Sequence, residues 1–183
     1  MTDDLCAVLE EIAGVAETVD RGSIEALVEA LVAAPRVFVT GEGRSGLMGK
    51  AFAMRLMHLG VVVHVVGETV TPAVAAGDLV VAVSGSGTTA GTLRAVEAAR
   101  GAGATVAAVT TDPSSALGRL ADAVLVLPAA TKHRRAGEAT TVQPLGSLFD
   151  QGTHVVLDAV CLGLARVREV GNDRARATHA NTE

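Results

Sequence analysis

Five short runs rich in Val, Ala and Leu, near 36–40, 61–66, 78–83, 104–109 and 123–127, alternate with stretches of helical spacing near 46–59, 89–102 and 114–121. The runs are apolar throughout rather than at every second position, the pattern of strands buried on both faces. Such strands separated by helices dictate a parallel sheet covered on both sides. The predicted fold class is therefore α/β: a three-layer, doubly wound, five-stranded parallel sheet of flavodoxin-like order 2-1-3-4-5. The link from Gly67 to Gly77 is too short for a long helix, and a last helix spans about Leu145 to Arg168. Ahead of the sheet, Asp3 to Ala34 reads as two N-terminal helices broken at Asp20-Arg21-Gly22-Ser23. Ser23 is the expected N-cap of the second, with Glu25 in its first turn and Pro35 closing it. A single domain over 1–183 follows, with helices in 1–34, an α/β core in 35–168 and a tail in 169–183. The polar stretches Ala129 to Gln143 and beyond Arg168 are expected to be mobile.

Two loops carry the chemistry. Gly41-Glu42-Gly43-Arg44-Ser45-Gly46 follows the first strand, and Ser84-Gly85-Ser86-Gly87-Thr88-Thr89 follows the third. A glycine-rich turn feeding a helix exposes unpaired N–H groups at the positive end of the helix dipole, which attracts phosphate. In the order 2-1-3-4-5 the ligand crevice opens beyond the carboxyl ends of strands 1 and 3. Both hydroxyl-bearing loops lie there, which points to one phosphorylated ligand held between them.

Composition removes several alternatives. The net charge of -5 and the absence of Trp and Tyr leave little for nucleic acid to bind, so the expected partner is a small anion. No apolar run approaches the ~20 residues of a membrane span. Met1-Thr2-Asp3-Asp4 has no basic n-region, so no secretory signal is expected. Cys6 and Cys161 lack metal or disulfide spacing and read as reduced thiols of a cytoplasmic protein.

Gly41-x-Gly43-x-x-Gly46, with Glu68 following the second strand, fits the dinucleotide fingerprint. Arg44 and Ser45 stand where that loop needs small neutral residues, and no second domain is left for a hydride-transfer substrate. A mononucleotide P-loop fails because Gly49-Lys50 is followed by Ala51. The helix at 46–59 is apolar on nearly every side, interrupted by Lys50, Arg55 and His58, and is expected to be buried between the sheet and another subunit. Arg55 reads as a site residue or half of an ion pair, and His58 and His64 as core-edge or interface residues. Lys132-His133-Arg134-Arg135 reads most simply as a solvated loop, the other reading being a basic lid over a phosphate. Asp150, His154 and Asp158 form a polar stripe, of which Asp150 in the first turn faces the crevice. By composition His179 has little reason to be ordered.

Longer segments are familiar together. Val39 to Leu47, Met54-Arg55-Leu56-Met57-His58-Leu59-Gly60, Val66-Gly67-Glu68-Thr69-Val70-Thr71-Pro72, Gly77-Asp78-Leu79, Ser84 to Thr89, Leu145 to Gln151 and the closing His179 to Glu183 resemble the 6-phospho-3-hexuloisomerase family. The two loops alone indicate only the wider sugar-isomerase (SIS) fold. The Arg-Leu-Met-His-Leu-Gly and Gly-Glu-Thr-x-Thr-Pro segments make the resemblance specific.

This resemblance implies an isomerase interconverting 3-hexulose 6-phosphate and fructose 6-phosphate in the ribulose monophosphate route of formaldehyde fixation. The enzyme is expected to need neither metal nor organic cofactor and to form a homodimer or homotetramer. Substrate binding carries over to Gly43, Arg44, Ser45, Ser84, Gly85, Ser86, Thr88 and Thr89. The family's acid/base, a Glu in a Leu-Phe-Glu segment, falls on Asp150, with Glu68 as the competing carboxylate and His179 as a supporting histidine from its own or a neighbouring subunit. Moving the carbonyl from C3 to C2 passes through a 2,3-enediol, which one carboxylate can serve in both directions. The alternatives are another SIS-fold aldose–ketose phosphate isomerase and a non-catalytic sugar-phosphate sensor. Sensors of this fold usually carry a DNA-binding domain, and the roughly 35 residues before the first strand, acidic as a whole, are too few for one.

Overall fold

The structure, a computed structural model, describes residues 3–135 and 138–181. Thr182 and Glu183, the end of the closing segment, lie outside the described residues, as do Met1, Thr2, Ala136 and Gly137. Helices α1 (Asp4–Thr18) and α2 (Arg21–Ala33) lead into β1 (Val37–Gly41), α3 (Gly43–His58), β2 (Val63–Val65) and β3 (Leu79–Val83). Then come α4 (Ala90–Gly101), β4 (Thr105–Thr110), α5 (Ala116–Leu120), β5 (Ala123–Val126), α6 (Ser147–Val167) and α7 (Asn172–Ala177). All strand pairs are parallel and the order is β2-β1-β3-β4-β5, as the alternation predicts.

The pleat sorts side chains into two cores. Val37, Val39, Leu79, Val81, Val83, Ala107 and Val109 pack on one face with α1, α2, α3 and α6. Phe38, Val80, Ala82, Val106 and Ala108 pack on the other with α4 and α5. No helix joins β2 to β3. Where β1 and β3 begin, Arg36 grips the buried Asp78 with two hydrogen bonds, Nε to Oδ1 at 2.9 Å and Nη2 to Oδ2 at 2.6 Å.

Four local expectations change. Asp20, not Ser23, caps α2, because its carboxylate accepts from the N–H groups of Gly22 and Ser23 while the Ser23 hydroxyl turns back to the Asp20 carbonyl. Helix α3 begins at Gly43, whose positive φ of 59° starts the turn early. The stretches 129–135 and 138–143 are anchored rather than loose: Ala129, Ala130, Thr131 and Gln143 are buried, and Glu11 of α1 accepts hydrogen bonds from the Thr141 hydroxyl, the Val142 N–H and the Gln143 amide. The tail forms α7 and then folds back onto the end of α3.

Two glycines of opposite surroundings test this packing. A Cβ at Gly46 would lie 2.5 Å from the Gly41 carbonyl oxygen, whereas one at exposed Gly14 in α1 meets nothing within 4 Å. Gly46→Ala is expected to lose about 1–3 kcal/mol and Gly14→Ala to gain about 1 kcal/mol from helix propensity. Urea midpoints report both, and shifts of the same sign would contradict the packing.

Candidate active site

Strands β1 and β3 are neighbours in register, Val37 opposite Leu79 through Gly41 opposite Val83, so the loops that follow them leave the sheet at one level. Helix α3 then covers one face and α4 the other, and a cleft of about 380 Å³ opens between their starting ends. Gly43, Arg44 and Ser45 line it from the first loop, Gly85, Ser86 and Thr89 from the second, and Gly146, Ser147, Phe149 and Asp150 from the start of α6. The close contact of Gly46 with the Gly41 backbone makes the first turn tight enough to present these groups.

The second loop is built to offer hydroxyls. The Gly87 N–H donates to the Ser84 carbonyl at 3.0 Å, and its φ of 61° turns the chain. Ser84 is buried beneath the cleft, its hydroxyl 2.9 Å from that of Thr89. Thr88 does not line the cleft; its N–H and hydroxyl both donate to Ser86 Oγ, leaving the Ser86 proton for an outside acceptor. A Cβ at Gly85 would meet the Phe149 ring at 2.9 Å, so only glycine lets this loop approach α6.

Facing the hydroxyls is a carboxylate that is 6% exposed, Asp150 in the first turn of α6. Ser45 Oγ donates to its Oδ1 at 2.9 Å, and Arg44 Nε stands 3.4 Å from Oδ2. Arg44 also donates to Ser147 Oγ at 3.2 Å. Burial pushes the Asp150 carboxyl above its ordinary range, while the Ser45 hydrogen bond and the Arg44 charge pull it partly back. A buried carboxyl with a raised pKa in a cleft is suited to accept and return a proton.

The remaining candidates lie elsewhere in this chain. Glu68 is exposed and paired with Lys50 at 2.6 Å, which holds its carboxyl below the usual range. His179 stacks on His58, ring centroids 5.2 Å apart and 11° from parallel, and the Thr178 hydroxyl donates to the His58 carbonyl. His58 is buried, and burial holds its pKa down. His154 and Asp158 form an exposed pair at 3.7 Å, separate from Asp150. Helix α3 is not buried all round: Phe52, Ala53 and Leu56 face the core, while Leu47, Met54 and Met57 are exposed in the single chain.

Sequence reasoning missed Glu42 and Thr131, which also line the cleft, and Lys132, read chiefly as part of a solvated loop, lines it as well. The segment 132–135 is not simply solvated, because Arg134 turns inward and donates to the carbonyls of Thr131, Gln143 and Leu145. A topological signal was available: Thr131 and Lys132 follow the carboxyl end of β5, the edge of a parallel sheet where ligands bind.

Known proteins share this arrangement. The SIS domain family matches residues 30–151. A 3-hexulose-6-phosphate isomerase of Mycobacterium gastri is 46% identical over 183 residues, 100% of this chain and 92% of that protein. Its counterpart in Bacillus subtilis is 37% identical over 182 residues, 100% of this chain and 98% of that one. Among solved structures, a hypothetical protein of Methanococcus jannaschii superposes with a TM-score of 0.86 at 27% identity, covering 99% of both chains. Its crystal structure is described as inferring the function of a 3-hexulose-6-phosphate isomerase.

The cleft predicts where an anion binds. Ser86→Ala removes a free hydroxyl donor and is expected to weaken binding of a phosphate ester about tenfold, the worth of one hydrogen bond to a charged group. Calorimetric titration reads this. Unchanged affinity in both Ser86→Ala and Thr89→Ala would move the anion out of this cleft.

Proposed function

This chain belongs to the SIS-domain family and, within it, to the 3-hexulose-6-phosphate isomerases, and from that premise we propose how its cleft works. The reaction is the interconversion of 3-hexulose 6-phosphate and fructose 6-phosphate, a step of the ribulose monophosphate pathway. The observation that carries the reading is one buried carboxylate, Asp150, facing a loop of hydroxyl donors across a cleft of sugar-phosphate size.

The phosphate rests on Ser86 and Thr89, with Ser84 and Thr88 bracing them from below and outside. Fixing the phosphate holds the other end of the sugar beside Asp150. A 3-ketose blocked at O6 cannot close a five-membered ring, so the substrate arrives open. Asp150 takes the C2 proton, the electron pair forms the C2=C3 bond, and the C3 carbonyl oxygen gathers the charge. The C2 hydroxyl proton passes to the C3 oxygen, and Asp150 returns its proton to C3 as the C2 oxygen becomes the carbonyl. Arg44 and Ser45, already on the carboxylate, are placed to stabilise the oxyanion that develops next to it. His179, held on His58 away from the cleft of its own chain, supports the reaction of a neighbouring subunit.

The whole of 1–183 acts as one SIS domain, the helices of 1–34 and the tail of 169–183 serving the core. Copies assemble as a dimer or tetramer through the exposed apolar side chains of α3 (Leu47, Met54 and Met57) and of α6, which packs on it (Val155 and Leu162). The enzyme acts in the cytoplasm, in keeping with its two free thiols. Among the described residues no helix is long and apolar enough to cross a membrane.

Supplying 3-hexulose 6-phosphate and measuring fructose 6-phosphate tests the reaction; no conversion would end this reading. Asp150→Asn keeps the shape and removes the base, so kcat is expected to fall by ~10²–10⁴ with KM little changed. Normal turnover in Asp150→Asn together with loss in Glu68→Gln would reassign the base.

The pH profile carries a sign. The base works ionised, so kcat/KM rises with pH through the Asp150 pKa, which burial sets above the ordinary carboxylate range. Because the Ser45 hydrogen bond favours the ionised form, Ser45→Ala moves that acid limb to higher pH. A limb that stays in place, or moves lower, would mean that Asp150 does not set it.

A further inference from the structure

The cleft has an unbalanced charge account. Besides Asp150, its charged walls are Glu42, Arg44 and Lys132. Arg44 is committed to Asp150 and Ser147. A phosphate monoester brings about -1.5 to -2 charges at neutral pH, and the Ser84–Thr89 loop meets it with neutral hydroxyls and amides only. Lys132 is exposed, and among the described residues it has neither a carboxylate partner nor a hydrogen bond to its ammonium.

Its position is built rather than incidental. The Glu138 carboxylate accepts from the Thr131 N–H at 2.9 Å and the Thr131 hydroxyl at 2.7 Å, fixing one side of the turn. The Arg134 guanidinium spans the other side, donating to the Thr131 carbonyl at 2.9 Å, to Leu145 at 3.0 Å and to Gln143 at 2.6 Å. Arg134 holds a φ of 46°, a conformation that persists only where the surroundings impose it. Arg135 ties the same turn to the hydroxyl loop, its Nη2 3.5 Å from the Ser86 carbonyl and its Nη1 3.9 Å from Asp112. Two of the three cations of the segment are thus spent on holding it, and the third faces the cleft.

We infer that Lys132 supplies the positive charge for the substrate phosphate, the 131–135 turn being a fixed arm that completes an anion site whose neutral half is the Ser84–Thr89 loop. Glu138 and Arg134 are positioning residues for this arm. The inference rests on the cleft binding a sugar phosphate, as proposed above, but not on Asp150 being the base.

The test compares the full chain with Lys132→Met and Lys132→Arg, titrating each with fructose 6-phosphate in a calorimeter and measuring KM and kcat on the same preparations. Thermal melting checks folding, which an exposed side chain should leave unchanged. Lys132→Met is expected to weaken fructose 6-phosphate binding and raise KM by about 10- to 100-fold, the worth of one charge-assisted contact, with kcat nearly constant. Lys132→Arg is expected to restore most of the affinity. Unchanged Kd and KM in Lys132→Met would overturn the inference, as would a fall in kcat alone, which would put the ammonium on the reacting oxygens instead. Lys132-dependent binding without any conversion would uphold the arm and end the isomerase reading. A wild-type chain that neither binds nor converts the sugar phosphate would end both.

Discussion

The Arg36 guanidinium and the buried Asp78 carboxylate clamp together the starting ends of β1 and β3, and the ladder from Val37–Leu79 to Gly41–Val83 runs on from that point in register. Both strands therefore stop at the same height. A slip of one residue would turn every side chain of β1 to the opposite core and set the two following loops at different levels. From this shared edge the chain leaves toward α3 on one face and toward α4 on the other, the arrangement that opens a crevice at a switch point in strand order. The hydroxyl loop, the tight glycine turn and the cleft all follow from that pairing.

The carboxylate that faces the cleft comes from a different part of the chain, α6, yet its charge state is set by the first loop. Burial favours the neutral acid, and Ser45 and Arg44 oppose that tendency. The first loop thus lines the ligand cleft and adjusts the group expected to move the proton. That double duty explains why an arginine and a serine stand where a dinucleotide loop would keep small neutral side chains.

Much of this was legible in the sequence because strong local signals agreed with the tertiary arrangement. The Val-rich runs mark strands in the right places and the right order, and Ser45, Ser86, Thr89 and Asp150, which line the cleft, stand on the loops and helix start that the pattern singles out. Illegible features were those decided by distant partners. Asp20 and Ser23 are both good caps, and only the backbone geometry at Val19 and Asp20 chooses between them. Edge strand β2 shrank to Val63–Val65 because it has a single neighbour to pair with. Arg134 sits in a polar run and reads as solvated until the Gln143 and Leu145 carbonyls arrive beside it. His179 stacks on the ring of His58, 121 positions earlier in the chain, a partner that local sequence does not announce.

Glu11 has a consequence for what counts as the smallest working unit. It lies in α1, ahead of the stretch 30–151 that the SIS family spans, yet its carboxylate holds Thr141, Val142 and Gln143. The Gln143 carbonyl in turn holds Arg134, and Arg134 holds the Thr131 carbonyl at the rim of the cleft. The N-terminal helix is therefore a buttress rather than an appendage. A chain trimmed to the family boundaries would keep the hydroxyl loop and the carboxylate but lose the outer support of the wall opposite them. In engineering terms, the portable module begins at α1, and substitutions chosen to reshape the cleft have to be judged together with a helix that never touches it.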